Sequence, residues 1–445
     1  MNRTVNRDRH RRGRGVPPER RSRTDLTVTA VITVAVLLLV LGTWFFSDSR
    51  GTSHTEAGPG EAVAPPAAAE APPESLQEIW RARSEAPGTP GASGTSAEPV
   101  LVDGTAVVRD GNRVAGVSVE DGHEAWSYSR DRELCGVAGN WGRVVAVYRG
   151  PKGCSDVTSL TASTGRYQDT RSSLGSGDVR LFRSLDHVGV LSDDRVELWR
   201  SDLVRTVEVG HVEAPVSADA QPLDGCRFTS AQTRKDLLAV LADCDREDGK
   251  GTVSLQVADP DESGEPEVTH EFTVPPDAEL VGAAQEAAVI YVHGDGRRAA
   301  DADDFSGSRF QVLHTDGSFE QHPADPSPAL AHLADGRGDD PFVPATGDLP
   351  HHMTWFNGER LVGFGPTNLE PRFSVPALGP GAAMAGSLLV PVPGGVAVVD
   401  WDTGDVERTV PVDRGDYDGP VTLRVQGDVV VEQRGDEMVA LRQRA

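Results

Sequence analysis

Two patterns of hydrophobic and polar positions divide the chain. The first is one unbroken apolar run at residues 26–46, LTVTAVITVAVLLLVLGTWFF, which spans 21 residues without a charge. A helix of that length covers a hydrocarbon core of roughly 30 Å and satisfies its own backbone hydrogen bonds, which lipid cannot do. The second pattern starts near residue 98. Short apolar, β-branched runs recur between turns rich in Gly and Asp: TAVV (105–108), RVAGVSV (113–119), RVVAVY (143–148), LLAVLA (237–242), AAVIYV (287–292), GSLLVPV (386–392), GVAVVDW (395–401) and DVVVEQ (428–433). Runs of this length predict strands, and no long 3.6-residue period competes with them. The body is expected to be all-β.

Charge gives the apolar run a direction. The formal net charge is −25, but residues 1–25 hold nine Arg against three acidic residues, or +6, which leaves −31 on the rest. A basic tail before an apolar helix sets the N-terminus inside. Residues 1–25 are therefore expected to be cytoplasmic, 26–46 to be a transmembrane signal-anchor and the remainder to be extracytoplasmic. The apolar stretch exceeds the usual h-region of a cleaved signal, and no A-x-A site follows closely. An acidic body repels phosphate, so nucleic acid is excluded as a partner. Residues 47–74, SDSRGTSHTEAGPGEAVAPPAAAEAPPE, offer almost no large apolar side chain. Such composition predicts a disordered, semi-stiff stalk. A second soft stretch at 85–99 reads as a loop.

The strands repeat. Asp110-Gly111-Asn112 joins the first two as a tight hairpin, and Glu120-Asp121-Gly122 leads on to HEAWSY. The unit is strand, turn, strand, a turn ending in Asp-Gly or Thr-Gly, then a strand with an aromatic. Its spacing, from the high thirties to about sixty residues, suits propeller blades of four strands. VSVEDGHEAW (117–126), VDWDTGDV (399–406) and ASTGRY (162–167) resemble the A-x-D-x-x-T-G-x-x-x-W repeat of quinoprotein-type (PQQ-like) β-propellers. The whole arrangement is similar to uncharacterised actinobacterial single-pass membrane proteins. The resemblance implies a propeller over residues 75–445, of about eight four-stranded blades or, alternatively, seven, since 323–380 are hard to divide. LQEIWRA (76–82) looks like an outer strand standing alone, and residues 421–445 supply three strands and stop. Pairing the two ends would close the ring.

Candidate chemistry is sparse. Cys135 and Cys154 lie 19 residues apart, and Cys226 and Cys244 lie 18 apart, each pair bracketing a strand. Outside the cytoplasm this predicts two local disulfides, each worth about 3 kcal/mol. The alternative, a four-thiolate zinc site, lacks any C-x-x-C spacing. Enzymes of the resembled family use PQQ with Ca²⁺, a catalytic Asp and commonly two adjacent Cys; no such pair occurs here and no Asp aligns to that role. No cofactor, metal site or catalytic residue is therefore assigned. Asp301–Asp304 (DADD) and residues 335–340 read as solvated loops, and the adjacent His351 and His352 point to opposite faces of a strand. Three RGD tripeptides, at 337, 414 and 434, read as turns, and Trp126, Trp199 and Trp401 as packing residues. The expected role is a binding or scaffold module for an envelope protein or cell-wall partner, with an oxidoreductase or a ligand sensor as alternatives.

Overall fold

The computed structural model describes residues 22–444 apart from 46–47, 86–97, 173, 216, 218–219, 245–248, 339 and 352. The basic residues 1–21 and most of the soft stretch at 85–99 lie outside the described residues. The N-terminal unit is dominated by one helix, α1 (Arg23–Phe45). Its first turn is closed by a reciprocal cap: Asp25 Oδ2 accepts from Ser22 N at 2.9 Å, and Ser22 Oγ accepts from Asp25 N at 3.1 Å. No residue of α1 is buried, and its length and composition suffice to cross a membrane.

The second unit, residues 52–445, is an eight-bladed β-propeller. Blades 1 to 7 follow in chain order at residues 101–130, 134–172, 180–210, 227–274, 278–323, 346–376 and 382–411. In each, four strands run in sequence order as an antiparallel sheet from the axis to the rim. Blade 8 joins both ends of the domain. Strands Val421–Gln426, Val429–Arg434 and Glu437–Arg442 come from the C-terminus, and Gln77–Arg83 adds the outer strand, with Gln77 opposite Arg442 and Arg83 opposite Glu437. The expected closure and the count of eight both hold. The region that was hard to divide contains a complete sixth blade.

Burial explains which strands the sequence announced. Second strands such as Ala287–Val292 are buried on both faces and read as continuous apolar runs. Outer strands such as Val268–Val274 alternate buried and exposed positions and carry a weaker signal. The repeated turn glycine also has a packing role. Trp80 of blade 8 stands over Gly122 of blade 1 and donates Nε1–H to Val119 O at 2.8 Å. Trp126 of blade 1 stands over Gly165 of blade 2 and donates to Ala162 O at 2.6 Å. A Cβ on Gly165 would lie 2.6 Å from the indole, and its φ of 71° is a further reason for glycine. Phe373 over Gly404 and His270 over Gly317 repeat the contact at two other junctions.

Within the expected disordered stalk, residues 52–74 instead lie on the propeller. Thr52–Thr55 pairs antiparallel with residues 127–130 as a fifth strand of blade 1. Beyond it, Ala57 N and Val63 N donate to the carbonyls of Thr164 and Ser163, and Val63 is buried. Arg408 Nη2 donates to the carbonyls of Pro72 and Pro73 at 3.0 and 3.2 Å. Composition rules out a core made by this segment itself, but it borrows the surface of a core made elsewhere. Proline's fixed φ lowers the entropy lost when it lies down.

Replacing Trp126 by Ala should destabilise the full-length chain by about 3–5 kcal/mol. The measure is the urea midpoint in detergent; a loss below about 1 kcal/mol would remove the aromatic–glycine contact from the forces that hold the blades together.

Candidate functional site

The axis of the ring is where a propeller can hold a ligand, and here the chain itself enters it. After blade 5 the chain makes a 3₁₀ turn (Pro328–Asp335) and crosses back to blade 4. Phe342 N donates to Thr229 O at 2.6 Å, and Phe342 bridges Ser230 in parallel. The strand Arg227–Arg234 already pairs on its other edge with Leu237–Asp243, so Phe342 takes the edge that faces the axis.

Arg337 pins this crossing. Its guanidinium is almost fully buried and donates to Asp243 Oδ1 at 2.9 Å through Nε. It also reaches the carbonyls of Pro275, Ala278 and Gly249 at 2.6, 3.2 and 3.2 Å. Beside it, on the inner strand of blade 5, lies the buried carboxyl of Glu279. Its Oε1 accepts from Ser230 Oγ at 2.5 Å and from Leu280 N at 3.2 Å. Burial pushes Glu279 up to about 7, against smaller opposing effects from these donors and from Arg337.

The RGD tripeptides are structural in a stronger sense than turns. Arg414 and Arg434 converge on the fully buried Glu432. Arg414 Nη2 and Nε lie 2.6 and 3.0 Å from its two oxygens, and Arg434 Nε lies 2.8 Å away. Arg414 also donates to the carbonyls of Val392 and Gly395 in blade 7. All three RGD arginines face inward, where no adhesion receptor reaches them. Asp339 lies outside the described residues.

The remaining candidates are likewise absorbed. Asp304 accepts from Arg297 at 2.7 Å, from Ser306 Oγ at 2.6 Å and from the backbone N–H groups of Ala300, Ser306 and Gly307, and the arginine, the hydroxyl and the first two of these N–H groups hold its carboxyl far below the usual range. Among the described residues no three His, Cys, Asp or Glu side chains converge as for a metal. His351 lies 5.3 Å from the Trp401 ring, while His352 is outside the described residues. Trp126, Trp199 and Trp401 are buried in apolar clusters. The cysteines pair as Cys135–Cys154 and Cys226–Cys244, with Cα separations of 5.9 and 4.2 Å. Each bridge ties the inner region of a blade to a later strand or turn of the same blade.

Sequence reasoning missed a cleft of about 330 Å³ between blades 5 and 6, lined in part by Arg298, His322 and Arg372. These residues stand on separate loops and strands and form no motif, so no local signal marks them. Glu279 was missed as well, because one acidic residue in a β-run says nothing of burial.

No protein-family model and no curated protein matches the chain. Solved structures do. BamB from Moraxella catarrhalis aligns at 13% identity over 83% of this chain and 98% of its own, with a TM-score of 0.44. The quinohemoprotein alcohol dehydrogenase ADHIIG from Pseudomonas putida HK5 aligns at 11% over 86% and 78%, with a TM-score of 0.47. A europium-containing methanol dehydrogenase aligns at 11% over 82% and 93%, with a TM-score of 0.45. At such identities and scores the likeness is one of architecture, and no activity follows from it. The residues present do not fit the quinone and Ca²⁺ that the sequence resemblance implied. The axial edge at Ser230 is taken by Phe342, no carboxylate cluster converges among the described residues, and no adjacent Cys pair exists. No redox step is derived.

The raised Glu279 has a measurable consequence. The folded state holds its proton more tightly than the unfolded chain, whose ordinary value is 4.5. Its contribution to stability is complete below that value and is lost as pH rises to about 7. His187, held low by burial, acts in the opposite direction, so the informative quantity is a difference. Subtracting the unfolding profile of Glu279→Gln from that of the wild type should leave a decline across this window. A flat difference would place the carboxyl in contact with water.

Proposed function

We propose that this chain is a membrane-anchored, extracytoplasmic β-propeller that binds or scaffolds envelope partners, either protein or cell wall. The observation that carries this reading is that the chain itself takes up the axial edge and the RGD arginines. Phe342 fills the edge beside Ser230, Arg337 pairs with Asp243, and Arg414 and Arg434 pair with Glu432. What is offered outward is a broad ring of polar loops. The anchor supports a surface location, since α1 follows an Arg-rich tail and the four cysteines pair. The Arg-over-Lys usage and the abundance of Ala, Gly and Pro accord with an actinobacterial source. The oxidoreductase and sensor alternatives gain no observation in their favour.

Two measurements test this. A reporter enzyme that works only after export, fused at Ala445, should be active in the native host. A reporter active only in the cytosol would overturn the topology and with it the envelope role. Crosslinking of intact cells, followed by capture of the full-length chain, should recover the same envelope component in repeated trials. Recovery of none would count against a scaffold.

A further inference from the structure

We infer that the cleft between blades 5 and 6 is a binding site for a small carboxylate with an apolar body. Its volume of about 330 Å³ lies at the low end of small-molecule sites. The floor is apolar and fixed: Phe310, Val362 and Phe373 line it and are each less than a tenth exposed. Inorganic phosphate would leave that floor uncovered, whereas an aromatic or branched aliphatic body fills it.

The polar part of the wall selects the charge. In a chain of net charge −25 this lining holds two Arg against one Asp. Arg298 comes from the long loop between the second and third strands of blade 5, and Arg372 from the outer strand of blade 6 (Pro371–Pro376). Each has one acidic neighbour: Asp325 lies 2.9 Å from Arg298 Nη1, and Glu370 lies 3.0 Å from Arg372 Nη2. Both side chains are about half exposed, and a guanidinium has further N–H groups in the planar fork that fits a carboxylate. His322 completes the polar wall, but its Nε2 is shut off from solvent and lies 3.7 Å from Glu320, so the two guanidiniums and not this nitrogen would meet a ligand.

The test uses the full-length chain in detergent and 3-phenylpropionate as probe, read by isothermal titration calorimetry. Saturable binding with one site per chain is expected. Arg298→Gln and Arg372→Gln should each weaken it about tenfold, the usual worth of one charge-assisted hydrogen bond. 3-Phenylpropanol, which has the same body without the charge, should bind about tenfold more weakly, and inorganic phosphate should not compete. The inference is overturned if no saturable heat appears at about 10 mM probe. It is equally overturned if the alcohol binds as well as the acid, or if both Arg variants keep wild-type affinity. Should one variant fail to fold, the other variant and the alcohol comparison still decide. Crosslinking reports macromolecular partners instead, so this result and the scaffold reading can fail separately.

Discussion

The pairing of Gln77–Arg83 with Glu437–Arg442 is the constraint from which the rest of the domain follows. A four-stranded blade cannot bury both of its faces alone; it needs a neighbour on each side, and only a closed ring gives one to every blade. Because the closing blade takes strands from both ends, its seam is the place where the ring would otherwise open. The segment at 57–74 straddles that seam. It bonds to the 163–164 turn of blade 2 and to Arg408 of blade 7, and it packs on Gly104 of blade 1 and Gly427 of blade 8. Two glycines make room for its backbone: a Cβ on either would meet a carbonyl oxygen, of Ala64 or of Ala67, at 2.3 Å. The supposed stalk is a splint.

Buried charge performs a related task within the ring. Arg414 and Arg434 on Glu432 join blade 8 to blade 7, while Arg337 on Asp243 fixes the axial crossing beside blades 4 and 5. Arg195 reaches both Glu197 and Glu208 within blade 3, and Arg171 of blade 2 also bonds Glu197. Burying such groups costs desolvation that their attraction does no more than offset. What they add is direction, since a guanidinium fork accepts few arrangements, whereas apolar faces tolerate sliding. In a ring of similar blades that distinction opposes mispairing.

These pins also limit where a partner can act. The axial edge of blade 4 is occupied, and Asp304, Asp243 and Glu432 are committed to Arg297, Arg337, Arg414 and Arg434. Accessible chemistry moves to the rim, where the loops of adjacent blades meet. The cleft between blades 5 and 6 is such a place, and its Arg298 and Arg372 reach one hollow from different blades.

The sequence alone determined the apolar helix, the all-β body, the turn positions, the local pairing of cysteines and the two-ended closure. Each depends on neighbours in the chain: a run of apolar residues, an alternation, a glycine where φ must be positive, a strand left without a sheet. Only the tertiary structure decided that 52–74 lies on the ring, that Phe342 enters the axis, that the RGD arginines turn inward, that Glu279 is sealed from water, and that Arg298, His322 and Arg372 share a hollow. The physical reason is the same in every case. Burial and partnership are properties of surfaces brought together by closing the ring, and a residue's own segment does not record what will be folded against it.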